Sequence, residues 1–109
     1  MPTSAPIVMV SYTRNLTMNR RRLLLRILNG SRNVGFSDFV NLIEGFGFRL
    51  SRVQGSHHIF VHPDVRELVN VQNVGGQAKP YQVRQVLKLI ERYHLRLSDD
   101  VDEEPEGVP

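Results

Sequence analysis

Apolar residues recur with a helical period in three stretches of this chain and with a strand period in the region between the second and the third. From about Asn19 to Leu28 the run NRRRLLLRIL joins good helix formers to Leu24, Ile27 and Leu28 at spacings of three and four, and Asn29-Gly30-Ser31 stops it. Ser37 is placed to cap a second helix whose stripe is Phe39, Val40, Leu42 and Ile43, ended by Gly45 and Gly47. Phe48 to Val53 then alternates until Ser51-Arg52 shifts the register, the pattern of a half-buried strand with a bulge or bend. Gln54-Gly55-Ser56 makes a turn, and the segment from His57 to His62 reads as a strand by its β-branched and aromatic content, closed by Pro63-Asp64. Leu68 to Gln72 is a third strand, broken at Gly75-Gly76. Lys79-Pro80-Tyr81 opens a last helix that runs to about Tyr93 or His94, with Val83, Val86, Leu87, Ile90 and Leu95 as its buried stripe.

The element order is therefore α-α-β-β-β-α, an α+β fold. Tight turns between successive strands imply a three-stranded antiparallel meander, with the helices packed on one face and the other face open. Because strand side chains alternate, His57 shares a face with Ile59 and Val61, while His58 and His62 share the other with Phe60. Aliphatic Ile59 and Val61 are expected to mark the helix-covered side, which would turn His58 and His62 to the open face and leave His57 to act from the strand's start at the sheet edge. The expected organisation is a flexible N-terminal arm over residues 1–17, where Pro2, Pro6 and scattered Ser and Thr show no period. One domain follows over 18–97, and an acidic disordered tail over 98–109.

Charge sharpens this picture. Six acids, Asp99, Asp100, Asp102, Glu103, Glu104 and Glu106, crowd the last dozen residues, so residues 1–97 hold fourteen Lys/Arg against five Asp/Glu, a charge of +9. A body that basic attracts polyanions, nucleic acid ahead of acidic lipid because no long basic amphipathic stretch with bulky aromatics is present. The plain alternative is a solvated basic surface. The absence of cysteine removes disulfides, thiolate nucleophiles and Cys-based zinc sites. The longest apolar runs, Ile7 to Val10 and Leu23 to Leu25, are too short to span a bilayer, which favours a cytoplasmic protein without a membrane partner.

Cleaving RNA without a metal requires a base for the 2′-hydroxyl proton and an acid for the leaving 5′-oxygen, and histidine suits both near neutral pH. His57 and His58 follow Gly55-Ser56, whose small residues leave room for a sugar-phosphate backbone and whose amides and hydroxyl are suited to hold a phosphate. The bland reading of the pair is two strand-edge histidines bonded to backbone. A metal site is rejected, because His58 and His62, the two histidines that look the same way, stand about 13 Å apart along a strand. Lys79, Arg84, Lys88 and Arg92 set a basic ridge on or just before the last helix, and Arg49 and Arg52 precede the turn; all six are candidate phosphate contacts, or a solvated helix face and strand edge. Tyr81 is either a stacking platform for a base or a lid on the core.

A helix, Gly-Phe, a basic strand, Gly-Ser-His-His-Ile-Phe-Val-His-Pro-Asp (55–64), a Leu-Val strand, Gly-Gly, and Lys79-Pro80 with Arg84 downstream together resemble the HicA family of toxin–antitoxin systems over roughly residues 36–97. That resemblance implies a double-stranded-RNA-binding-domain-like α-β-β-β-α core and a metal-independent mRNA interferase with His57 as the catalytic residue. It also implies a HicB-type antitoxin as partner and no cofactor. His58 stays open as the acting residue, and His58, Ser56 and Gly55 are all candidates for a catalytic or an RNA-binding role. The chain departs from the pattern in its added basic helix at 19–28. It departs again at Val71-Gln72-Asn73-Val74-Gly75-Gly76, where many members carry a Val-Pro-x-His-Gly-Gly-like stretch and this chain lacks both the proline and the histidine. Two other functions compete: a non-catalytic RNA-binding module, and a protein-interaction domain for an acidic partner.

Overall fold

A computed structural model describes residues 19–98 of the chain. The expected arm (1–17) and all but the first residue of the expected tail (98–109) lie outside the described residues. In chain order the elements are α1 (Arg20–Leu28), α2 (Phe36–Gly45), β1 (Arg49–Gln54), β2 (His57–His62), β3 (Val65–Val74), β4 (Gln77–Ala78) and α3 (Pro80–Arg92). The strands form one antiparallel sheet in the order β1-β2-β3-β4. The α+β class and its helix-on-sheet layering are as the sequence implies; the strand count is four, because β4 adds two residues after Gly75-Gly76. β3 is also longer than expected, starting at Val65 and ending at Val74.

The short turns follow from glycine geometry. Gln54 pairs with His57 across the two-residue loop Gly55-Ser56, and only Gly55 has positive φ (+60°), the pattern of a type II′ hairpin turn. Val74 pairs with Gln77 across Gly75-Gly76, where both residues have positive φ, the type I′ pattern. The register slips between Leu50 and Arg52, so the bulge sits at Ser51 as the broken alternation predicted. Together with Arg49 and Arg52 this bulge blunts β1, which is the free edge of the sheet and exposed throughout.

All three helices close with paired backbone bonds from the two residues beyond the cap: Gly30 and Ser31, Gly47 and Phe48, His94 and Leu95. This Schellman arrangement needs a left-handed residue, supplied by Gly30 (φ +99°), Gly47 (φ +100°) and, without a glycine's freedom, His94 (φ +54°). His94→Gly is therefore expected to raise stability by roughly 0.5–1 kcal/mol. A thermal melt followed by circular dichroism checks this, and an unchanged or lower Tm would count against a strained cap.

Helix starts differ from expectation in one case. α2 is capped by Gly35 with no side-chain bond, and Ser37 lies inside its first turn; the strand-like bridge of Gly35 to Gln77 fixes where the helix begins. Gly45 lies within α2, not beyond it, packed so that a Cβ there would meet Arg20 Cδ at 2.7 Å and Leu97 Cδ1 at 2.9 Å. α1 starts at its Asn19 cap, whose side chain accepts from Arg22 N. Its buried side chains are Leu23 and Ile27, with Leu24 half-buried and Leu28 62 % exposed, so the inward stripe is rotated by one residue from the expected one. Arg20 locks α1 to α2 by donating from Nε to the Asn41 carbonyl (2.9 Å) and from Nη2 to Asn41 Oδ1 (3.0 Å).

One core lies between helices and sheet. Phe39, Leu42 and Ile43 of α2 meet Phe60 of β2, Val69 and Val71 of β3 and Val83, Val86 and Leu89 of α3, joined by Leu23 of α1 and by Leu97. Each such side chain contributes about 1.5–3 kcal/mol by leaving water. At the far end of α3, Tyr93 Oη donates to Glu67 Oε1 (2.7 Å) and Arg92 Nη1 to Glu67 Oε2 (2.8 Å). The Tyr93 hydrogen bond is the first reason the Glu67 carboxyl titrates below its ordinary range, with its own backbone and Arg92 adding to it. Among the described residues no helix is long and apolar enough to cross a membrane.

The two faces of β2 are the reverse of those expected. Phe60, 1 % exposed, sits in the core cluster, and with it His58 and His62 face the helices; His57, Ile59 and Val61 face the open side. The bulky aromatic ring, not the branched aliphatics, is the side chain the helix layer covers. Ile59 is buried outside the core cluster, between its cross-strand neighbours Arg52 and Asn70, and long arginine stems cover aliphatic groups of this kind.

Candidate functional site

The three strand histidines divide between two environments. His62 Nδ1 accepts the Asp64 N–H (3.0 Å), so its Nε2–H donates to the Phe46 carbonyl (3.0 Å), and its ring lies edge-on to Phe48 at 5.0 Å. It braces the end of β2 against the α2–β1 connection, where Gly47 leaves room: a Cβ there would lie 2.7 Å from His62 Nε2. His58 packs on Phe36 with ring centroids 4.7 Å apart, and its Nδ1 is 3.3 Å from the Ser56 carbonyl oxygen. It lines a shallow groove of about 210 Å³ with Phe36, Val40, Leu50 and Phe60 on the helix side.

His57 alone of the three is on the uncovered face. Its Nδ1 lies 3.1 Å from Asn70 Oδ1 on β3. The register makes this a diagonal contact, because His57 faces Gln72 directly and Asn70 stands opposite Ile59, within the reach of such neighbours on one face. A carboxamide oxygen is an acceptor only, so the Nδ1 it meets carries the proton and Nε2 keeps its lone pair. Among the described residues Nε2 has no hydrogen-bond partner.

The turn beside it is fixed from the neighbouring strand. Gln72 Nε2 donates to Ser56 Oγ (3.2 Å), and Asn73 N donates to the Ser56 carbonyl (3.0 Å). The Ser56 hydroxyl, already accepting, is left with its O–H to donate. Gly55 has open space where a Cβ would be, so its requirement is the positive φ of the turn. The Gln72 backbone N–H points away from β2, and β4 is too short to pair it; the buried Gln82 of α3 accepts it through Oε1 at 2.7 Å. At this position the resemblance noted above has proline, which lacks that donor. Gln82 thus supplies what β4 does not, and ties α3 to the strand that holds Ser56 and Asn70.

The basic candidates do not all converge. Arg52 stands in register with Ile59 and Arg49 with Val61, so both share His57's face, one and two rungs along the sheet from it. Lys79 follows β4 directly, and Ala78 pairs with Asn73, the residue bonded to Ser56, so Lys79 belongs to the same end of the sheet. Its ammonium lies 5.8 Å from the ring centroid of Tyr81, which is about half exposed and is neither a core lid nor buried against a neighbour. Arg84 and Lys88 project from α3 on the side opposite buried Gln82, Val83, Val86 and Leu89, away from the sheet and from His57. Arg92 is held by Glu67. Sequence reasoning did not find Asn70, Gln72 or Gln82; the β2–β3 register marks the first two, and the contact with Gln72 N marks Gln82.

No curated protein and no solved structure matches the chain. A family model, that of the HicA toxin of bacterial toxin–antitoxin systems, matches residues 36–91, just over half of the 109, and spans α2, the whole sheet and α3 almost to its end. That family supplies the toxin of a pair in which an antitoxin is the partner. With the matched segment holding His57, the turn before it and the helix layer behind it, the chain belongs to the HicA toxin family.

Proposed function

We propose that the protein is a metal-independent endoribonuclease acting on mRNA, with His57 as the residue that moves the proton. The observation that carries this reading is the placement of His57: an imidazole on the open sheet face, held through Nδ1, with Nε2 bonded to no protein group among the described residues and arginines of β1 on the same face. In this reading a phosphate lies between Ser56 and Arg52, and Nε2 accepts the 2′-hydroxyl proton as the oxygen attacks phosphorus. The bond to the 5′-oxygen breaks, and the new imidazolium is the nearest donor for it. The products are a 2′,3′-cyclic phosphate and a 5′-hydroxyl. Arg49 and Lys79 extend the phosphate track, and Arg84 and Lys88 serve RNA only where it passes around to the helix layer. The HicB-type antitoxin is the natural cover for this sheet face.

Pure protein without partner is expected to cut RNA in excess EDTA, leave cyclic phosphate ends detectable by mass spectrometry, and spare the same sequence carrying 2′-deoxyribose at the cut. Intact RNA after long incubation, or cleavage that needs added magnesium, would remove the proposal. Salt-sensitive binding without cleavage would replace it with the non-catalytic RNA-binding reading.

A further inference from the structure

We infer that Asn70 is the positioning residue of this site: its side-chain oxygen selects the His57 tautomer that keeps Nε2 free to accept a proton. The catalytic half of this inference rests on the reading of His57 given above; the contact itself does not. Three observations carry it. The His57 Nδ1 to Asn70 Oδ1 distance of 3.1 Å is a hydrogen bond. Asn70 is an exposed polar residue between buried Val69 and Val71 on β3, outside the core, and the strand on which it sits sets its direction. The Gln72–Ser56 and Gln72–Gln82 bonds pin the adjacent stretch of β3 from both sides, which leaves the Asn70 carboxamide aimed at the ring. A base must present a lone pair to the hydroxyl it deprotonates, and an imidazole with its proton on Nε2 presents none there. The bond at the opposite nitrogen therefore decides which fraction of the enzyme is competent.

The test uses the full chain and three forms: wild type, Asn70→Asp, which keeps an acceptor oxygen, and Asn70→Leu, which keeps the size and removes it. Long-range proton–nitrogen correlation NMR on the neutral His57 ring reads the tautomer without any RNA. Wild type and N70D are expected to hold the proton on Nδ1, and N70L to shift toward Nε2–H, with thermal stability little changed. Cleavage kinetics are then expected to show kcat down by roughly tenfold in N70L, the worth of one neutral hydrogen bond, with KM nearly unchanged and N70D retaining activity. An Nε2–H tautomer in wild type, or the same tautomer in all three forms, overturns the assignment whether or not RNA is cut. A tautomer that responds as stated in a protein that cleaves nothing upholds Asn70 as the group that sets the ring and removes instead the ribonuclease reading.

Discussion

His57→Ala is expected to lower RNA cleavage by about 10²–10⁴-fold, the usual contribution of a positioned proton-transfer group, while His58→Ala leaves the rate within a few-fold of wild type. The contrast follows from the sheet. Adjacent residues of β2 point to opposite sides, and the covered side holds the His58 ring against Phe36. The His58 change costs stability instead, about 0.5–1.5 kcal/mol for the lost ring contact. Single-turnover cleavage and a chemical melt on the two variants separate the effects. Equal loss of cleavage in both, with both folded, would mean that the site is not the open face. Because His57 lies on the exposed side of its strand, the alanine form should fold normally, and a dead but folded protein is the informative result.

The second large effect lies far from the turn. Leu23 is 1 % exposed and belongs to the core cluster although α1 precedes the matched family segment. Leu23→Ala is expected to cost about 2–5 kcal/mol, a large share of the roughly 5–15 kcal/mol that holds a domain together. Leu25→Ala, at a residue 56 % exposed on the same helix, should change stability by less than about 0.5 kcal/mol. Urea titrations of the two would show a lowered midpoint with an unchanged slope for the first, and both midpoint and slope unchanged for the second. If both behave like surface changes, α1 is an appendage. Otherwise the folding unit includes α1, with the Arg20–Asn41 clamp and the Gly45 niche as its fastening.

Much of this arrangement is legible in the chain. The limits of β2, the bulge at Ser51, the turn at Gly55-Ser56 and the start of α3 at Pro80 rest on local chemistry that the residues state directly. β4 escaped because two residues carry no period, and Ser37 misled because Gly35 is held by a bridge to Gln77, a contact distant in sequence. The faces of β2 were misassigned for a related reason: alternation says which residues go together but not which set the helices cover, and the greater bulk of Phe60 decided it. That inversion favours His57, since the side it occupies is the open one. The Asn70 contact depends on strand register and lies beyond what spacing alone reveals.

His57 sits at the first residue of a strand, its ring fixed by a neighbouring strand and its turn only two residues long. Among the described residues, the contacts that set the ring are made within the folded sheet itself. If the ribonuclease proposal holds, a site assembled in this way is expected to be competent as soon as the sheet has folded. On that proposal the antitoxin that pairs with a toxin of this family is the molecule expected to restrain it by occupying the surface, and the ratio of the two is expected to set the activity.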